Sequence, residues 1–270
     1  MVQYLVQDAN KMKKFSIVAK DDSDSLLIAK KIQRQLFNNE MSYSEKDPDI
    51  VCVVGGDGTF LAAIHKYINL LDKIVFTGIN TGTLGFFIDY TIEELDSYIE
   101  DILHKEPTIE RRRLIRTDVN GDNRRSYLAV NEMRVENITR TQSIDVFIND
   151  EKLETFKGNG LCVSTQAGST AYNRALGGAV VERGLEVLQL TEVAGVHHTL
   201  NRSLSSPLVM GPDNVITLNS KFESNSLLCF DRYAINLKGV TSLIISLSEL
   251  SYRIAHYKPM AYIHHLYHLF

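Results

Sequence analysis

The chemistry in this chain starts at Gly55-Gly56-Asp57-Gly58-Thr59, one carboxylate among three glycines. The run Ile50 to Val54 before it is β-branched and apolar, as in a strand covered on both faces. Phe60, Leu61, Ile64, Ile68 and Leu71 after it fall at helical spacing. Backbone N–H groups at such a strand-to-helix turn face an anion, most often phosphate. A carboxylate is a poor phosphate ligand, so Asp57 suits a base, or a partner for a hydroxyl or a metal ion. The plainer alternative is a tight turn in which Asp57 caps the helix. Two adjacent glycines exceed what a cap needs. The Walker P-loop and the G-x-G-x-x-G fingerprint do not fit, since the spacing and the lysine are absent.

Three more clusters carry polar chemistry. Asn80-Thr81-Gly82-Thr83-Leu84-Gly85-Phe86 is a second glycine loop after a strand, expected on the same rim as Gly55–Gly58. Asn131-Glu132 ends the apolar run Leu128-Ala129-Val130. An adjacent amide and carboxylate there can read hydroxyls and base edges, or can mark a strand end turning to solvent. Gly158-Asn159-Gly160 and Ser164-Thr165-Gln166-Ala167-Gly168-Ser169-Thr170-Ala171-Tyr172 read as a loop of small donors with one aromatic wall.

The elements that must position these residues fall into two kinds. Residues 14–19, 50–54 and 73–78 read as strands, with a helix around Leu26 to Leu36 and another after Thr59. That alternation is a parallel α/β pattern. Thr91 to Leu103 reads as a capped amphipathic helix. From Pro107 to about residue 255 the expectation changes to short strands: Tyr127 to Val135, Ser143 to Ile148 with an Asn149-Asp150 turn, Leu161 to Ser164, Val215 to Leu218, Ser226 to Phe230 and Ser242 to Leu247. Such strands suggest an antiparallel, sandwich-like domain. The expected division is 1–106 for the α/β nucleotide-binding domain and 107–255 for the β-rich domain. The tail 256–270 is expected to pack back on the α/β domain, with the apolar residues Met260 to Phe270 as a docking helix. Arg111-Arg112-Arg113 reads as a solvated strand edge.

The composition narrows the class. A 270-residue chain with 44% hydrophobic and 23% charged residues suits one large or two modest soluble domains. A net charge of −4 gives no sign of nucleic-acid binding. Cys52, Cys162 and Cys229 are scattered and odd in number, so they read as buried thiols in a reducing compartment. No apolar run is long enough to span a membrane, and Asp8 and Asn10 break any signal-peptide pattern. The expected location is the cytoplasm.

The motifs together resemble the NAD kinases of Gram-positive bacteria. The resemblance rests on Gly55–Thr59, Asn80-Thr81-Gly82-x-Leu84-Gly85-Phe86, Leu128–Glu132, Phe156-Lys157-Gly158-Asn159-Gly160 and Gly168-Ser169-Thr170-Ala171-Tyr172-Asn173. Leu176-Gly177-Gly178-Ala179 and Leu188-Gln189-Leu190-Thr191-Glu192 add to it. Gly-Gly-Asp-Gly alone is shared with lipid kinases and phosphofructokinases, whereas the Gly-Ser-Thr-Ala-Tyr-Asn string with the Asn-Glu pair is far more specific. The resemblance implies a Rossmann-like or phosphofructokinase-like α/β N-terminal domain and a β-rich, sandwich-like C-terminal one. It implies transfer of the γ-phosphate of ATP, or of polyphosphate, to the 2′-hydroxyl of the adenosine ribose of NAD, giving NADP. Mg²⁺ or a similar ion on the phosphates and a homotetramer are also implied, with no metal site of the protein's own. Asp57 would be the general base, worth ~10²–10⁴-fold. Gly55, Gly56, Gly58 and Thr59 would form the phosphate loop. Gly58, Asn131, Glu132, Lys157, Asn159, Thr170, Ala171, Tyr172, Asn173, Arg174, Ala175 and Ala194 would bind NAD, with Phe86, Asp231 and Arg232 nearby.

Departures from the family pattern cluster on the side expected to hold the nicotinamide half. Asn159 stands where Asp is usual, Gln166 where Pro is usual and Lys157 where Arg is usual. Asn keeps an acceptor without the charge, Lys cannot make a bidentate contact, and Gln is expected to loosen the loop. Glu182-Arg183-Gly184 and Val196-His197-His198 also depart from the pattern. Weaker or altered selection of that half, with phosphoryl transfer intact because Asp57 is unchanged, is the expectation. His264 and His268 stand at i, i+4, but a zinc site needs three or four converging ligands, so a packed or solvent-facing tail helix is expected instead. Two rival readings stand beside the kinase: a catalytically weak NAD(P)-binding sensor, which would not need Asp57, and a diacylglycerol-kinase-like lipid kinase, which should lack the Gly168–Asn173 string.

Overall fold

The structure, a computed structural model, describes residues 14–82, 85–196, 203–259 and 262–269. Thr83, Leu84, His197 and His198, and the side chains of His264 and His268, lie outside them. The chain divides into two compact units, 1–112 with 250–270, and 113–249.

The first unit is α/β. In order it holds β1 (Lys14–Ala19), α1 (Ser23–Asn38), β2 (Ser42–Tyr43), β3 (Ile50–Val54), α2 (Asp57–Lys66), β4 (Val75–Asn80), β5 (Tyr90–Thr91) and α3 (Leu95–His104). The strands pair in parallel as β4-β3-β1-β2, with β5 on β4. Every residue of β3 and β4 is buried, as continuous apolar runs in a doubly covered sheet must be. Asp22 caps α1 by accepting the Ser25 N–H at 2.8 Å. Ile28, Ala29, Ile32 and Leu36 then face the core with Phe15, Ile50 and Cys52. The cap expected at Thr91 is a reciprocal capping box with Glu94.

The second unit is β-rich and antiparallel. β6 (Thr108–Gly121) leads into it, followed by β7 (Arg125–Ala129), β8 (Glu132–Glu136), β9 (Gln142–Ile148), β10 (Glu151–Ser164), α4 (Tyr172–Ala175), β11 (Leu188–Gly195), β12 (Leu208–Met210), β13 (Ile216–Asn219), β14 (Leu227–Phe230) and β15 (Tyr233–Asn236). β16 (Val240–His256) leads out of it, and α5 (Tyr262–Leu269) follows. Asn149 and Asp150, both at positive φ (50° and 68°), join β9 to β10 in a two-residue hairpin. Val135, Phe156, Leu161, Val163, Leu190 and Leu228 belong to one apolar core.

Three expectations change. The strand read over Tyr127 to Val135 breaks at Val130-Asn131 into β7 and β8. Gly158-Asn159-Gly160 is not a loop but lies inside the long strand β10. The arginine run is not uniformly solvated: Arg111 is exposed, but Arg112 is buried and bidentate to Glu110 at 2.9 Å on both arms. Its neighbour two residues back on the same strand face offsets part of the cost of that burial.

Candidate functional site

In the first unit, Gly56 is the N-cap of α2 and makes no side-chain cap; Asp57 is the first helical residue. Its carboxylate turns to the second glycine loop. It accepts the Phe86 N–H at 2.9 and 3.1 Å and the Phe87 N–H at 3.2 Å. The helix-capping alternative is therefore not the bond these contacts describe. Gly85 makes the approach possible, since a Cβ there would lie 2.1 Å from Asp57 Oδ1. Phe87 stacks on Phe60, one turn along α2 from Asp57, at 5.1 Å and 18°. The helix that presents the carboxylate thus also anchors the loop that holds it. The rest of that loop is tied to the first: the Gly82 N–H donates to Asn80 Oδ1 at 2.9 Å and the Thr81 N–H to the Gly55 carbonyl at 3.4 Å. Phe86 lies 6.1 Å from Tyr262 of α5. Gly58 is exposed at the turn, and the Thr59 N–H donates to the Gly56 carbonyl.

Behind this loop runs a buried charge chain. His256 contacts Asp89 at 2.5 Å through Nδ1 and Glu110 at 2.9 Å through Nε2. Burial alone would lower the imidazole's pKa, but the two carboxylates outweigh it and hold it above the ordinary value. Arg112 and His256 keep Glu110 ionised against burial. Arg112 also lies over the Phe87 ring at 5.5 Å, so the chain backs the segment that grips Asp57.

In the second unit, the polar residues gather on one sheet face. β8 alternates: Met133 and Val135 join the apolar core, while Glu132, Arg134 and Glu136 share the other face. Register places Ser164 opposite Glu132, Cys162 opposite Arg134 and Gly160 opposite Glu136. Thr191 and Gln189 of β11 continue this face beside Cys162 and Ser164. The break before β8 is held from both sides. Asp231, in the β14–β15 turn at φ 49°, accepts the Val130 and Asn131 N–H groups at 2.8 Å each. Thr165 donates to the Val130 carbonyl at 2.7 Å, and its N–H donates to the Asn131 carbonyl. Gly168 packs so close that a Cβ would lie 2.1 Å from the Asn131 carbonyl oxygen. Ser169 accepts the Val181 N–H at 3.0 Å, and Asn173 Oδ1 accepts the Thr191 hydroxyl at 2.7 Å. Burial first, then Asp231 and Glu136, push the Glu132 carboxyl up to about 7, against the pull of Arg134.

Comparison with known proteins decides what this arrangement belongs to. The model of the ATP-NAD kinase N-terminal domain matches residues 39–107, and that of the C-terminal domain matches 130–256. The chain belongs to the NAD kinase family. An NAD kinase of Lactobacillus gasseri is 36% identical over 239 residues, covering 87% of this chain and 89% of that one. An NAD kinase of Geobacillus stearothermophilus is 36% identical over 251 residues, covering 92% and 93%. Two solved structures share the fold. Yeast NADH kinase complexed with NADH superposes with a TM-score of 0.85 at 16% identity, covering 98% of this chain and 92% of that one. An Archaeoglobus fulgidus NAD kinase in complex with ATP gives 0.76 at 22%, covering 95% and 98%.

Against this NAD kinase background the expected site residues form three groups. Gly55, Gly56, Asp57, Gly58, Thr59 and Phe86 converge in the first unit, at the head of α2. Asn131, Glu132, Asp231 and the Thr170–Asn173 segment converge in the second; Arg232 is exposed in the Asp231 turn, and Arg174 and Ala175 end α4. Lys157, Asn159 and Ala194 lie further along β10 and β11, near the Gly158–Gly195 pairing. Glu132 and the Asn159 neighbourhood are about 13 Å apart, four residues at ~3.3 Å each. The Asn159 side-chain amide donates to the Asn137 carbonyl at 2.9 Å, a bond that Asp could not make. Gln166 holds φ at −55°, close to what proline fixes, and its amide donates to the Val181 carbonyl at 3.0 Å. Among the described residues no three His, Cys, Asp or Glu side chains converge to cage a metal. Among them, too, no helix is long and apolar enough to cross a membrane. Sequence reasoning misses Arg134, although Glu132-x-Arg134-x-Glu136 is a same-face strand pattern that marks it.

Proposed function

We propose that this chain phosphorylates the 2′-hydroxyl of the adenosine ribose of NAD with ATP, giving NADP and ADP. It is a phosphotransferase with an alcohol acceptor. Asp57 takes the hydroxyl proton, the freed oxygen bonds to the γ-phosphorus, and the bond from that phosphorus to the bridging oxygen of ADP breaks. The observation that carries this reading is the Asp57 carboxylate fixed by the Phe86 and Phe87 N–H groups at a glycine turn. A base so held needs no rearrangement to meet its proton, which is where positioning acts in phosphoryl transfer. Asn131, Glu132 and Tyr172 supply an amide, a carboxylate and an aromatic wall for a nucleotide. A divalent cation carried on the phosphates of ATP is part of the proposal by family resemblance. ATP is the donor proposed here, with polyphosphate the alternative. A cytoplasmic homotetramer is part of the proposal by family resemblance, and light scattering checks the oligomer. The sensor and lipid-kinase readings are not favoured by the NAD kinase matches over both halves of the chain.

The test is NADP formation from NAD, ATP and Mg²⁺, read by a cycling dehydrogenase, beside Asp57→Asn. Turnover by the parent and its near loss in the variant are expected. Equal turnover by both would make Asp57 structural. NAD binding without turnover in the parent would return the sensor reading.

A further inference from the structure

On β8 and beside it lie several buried polar atoms without a partner among the described residues. Asn131 Oδ1, Glu132 Oε2, Arg134 Nε, Ser164 Oγ and Asn173 Nδ2 are all buried and make no hydrogen bond among the described residues. Glu132 is only 4% exposed, and Ser164 and Asn173 are fully buried. Native proteins rarely leave one such group unpaired, and here five stand in one neighbourhood. Two acceptors, two donors and a hydroxyl match a ligand that offers both hydroxyls and acceptor atoms, as a nucleoside does.

At the centre of the set is Arg134. Its guanidinium carbon lies 3.9 Å from the centroid of the Tyr172 ring. Its Nη1 donates to Glu136 Oε1 at 2.8 Å. Its Nε lies 3.7 Å from Glu132 Oε1, an ion contact too long for a hydrogen bond. Cys162 and Cys229 flank it across the neighbouring strands β10 and β14. Tyr172 starts the four-residue helix α4, too short to hold its own side chains in place. Tyr172 is 38% exposed, and its side chain meets Arg134 beneath the ring and Glu136 at its hydroxyl.

We propose that Arg134 is a positioning residue of the nucleotide site, fixing the Tyr172 ring and the Glu132 carboxylate relative to one another so that both meet the bound nucleoside. This rests on assigning the face to NAD. A planar guanidinium can stack on the ring while its edges reach two carboxylates, whereas an ammonium can satisfy only one of these demands at a time. Arg134 also pulls Glu132 toward ionisation, against burial, Asp231 and Glu136. The groups facing that carboxyl are Arg134 and Glu136 on its own strand, Asp231 from the β14–β15 turn, and the Cys162 and Cys229 thiols on β10 and β14; of these, only Arg134 favours ionisation. A ribose hydroxyl donates best to the ionised carboxylate, so affinity for NAD rises with pH as Glu132 titrates.

The experiment measures KM for NAD, kcat and the pH dependence of KM in Arg134→Gln, Arg134→Lys and Glu136→Gln, with circular dichroism to confirm folding. Arg134→Gln is expected to raise KM about tenfold, equivalent to about 1.4 kcal/mol, with kcat within about twofold. Its KM midpoint moves to higher pH, because the cation that favours ionisation is gone. Arg134→Lys raises KM by about threefold and leaves the midpoint nearly in place, since charge is kept and stacking is lost. Glu136→Gln moves the midpoint the other way, to lower pH, and still tests the proposal where Arg134→Gln does not fold. Folded variants with unchanged KM, or with the midpoint unmoved in both Arg134→Gln and Glu136→Gln, overturn the proposal. A parent that neither phosphorylates nor binds NAD by calorimetry would instead overturn the assignment of the face.

Discussion

Asp57 and Glu132 are two carboxylates placed by opposite means. Asp57 is half-buried, and the chain itself supplies its partners through the Phe86 and Phe87 N–H groups. Glu132 is buried, one of its oxygens has no hydrogen-bond partner among the described residues, and its pKa is pushed up to about 7. The first is complete before substrate arrives. The second, in the proposed reading, is completed by substrate. On that reading, the group that acts on a proton is held by backbone, while the group that recognises a ligand is left open at a cost in stability.

That contrast can be broken experimentally. The largest effect is expected for Asp57→Asn, which lowers kcat by ~10²–10⁴-fold with NAD binding by calorimetry nearly unchanged. A comparable loss of binding would mean that the two carboxylates are not divided by role. Next come the two close-approach glycines. Gly85→Ala pushes on Asp57 and is expected to lower kcat by about 10–100-fold, because a small misplacement of a reacting group is costly. Gly168→Ala pushes on the Asn131 carbonyl and is expected to raise KM for NAD instead. Steady-state kinetics showing both variants changing the same parameter would erase the distinction.

Glu132→Gln sharpens the comparison through pH. A carboxyl that is harder to ionise folded than unfolded binds its proton more tightly in the folded state. Its stabilising contribution is present below the ordinary carboxyl range and is lost as pH rises through about 7. Glu132→Gln removes that loss, so the ligand-free variant is expected to be about 1–3 kcal/mol more stable than the parent at pH 8 and to bind NAD more weakly. Urea melts at pH 5 and pH 8 check it, and equal differences at the two pH values would count against a strained carboxylate. The smallest effect is expected at Asn159→Asp, which loses one amide bond to the Asn137 carbonyl. A cost of about 1 kcal/mol in a thermal melt follows. A fall in KM for NAD in the Lys157→Arg, Asn159→Asp double variant would show that these departures do weaken selection of the nicotinamide half.

The first unit is largely legible in the sequence. Ile50 to Val54, the glycine turn and the spacing of Phe60, Leu61 and Ile64 each read correctly because local pattern and tertiary burial agree there. The direction of the Asp57 carboxylate is not legible, since Phe86 and Phe87 lie some thirty residues away in sequence. In the second unit long strands read as short ones. Gly158-Asn159-Gly160 looks like a turn by composition, but pairing of β10 with its neighbours overrides that local preference. Arg112 and Arg134 are hidden for one reason: each sits two residues from a glutamate partner, and alternation along a strand makes such pairs neighbours on one face. Charge runs in strands are better scanned at that spacing than counted.

The Asn149-Asp150 hairpin bears on how the second unit assembles. Its ladder, from Glu151 opposite Ile148 to Gly158 opposite Gln142, closes a loop of two residues and so forms at small entropic cost. Hairpins of this kind form in microseconds, well before distant strands find their partners. β10 continues past that ladder to Ser164, where β8 and β11 pair on either side of it. An early hairpin would template the sheet face that carries Glu132 and Ser164, so changes at Asn149 or Asp150 are expected to slow refolding in stopped-flow measurements while leaving KM for NAD unchanged.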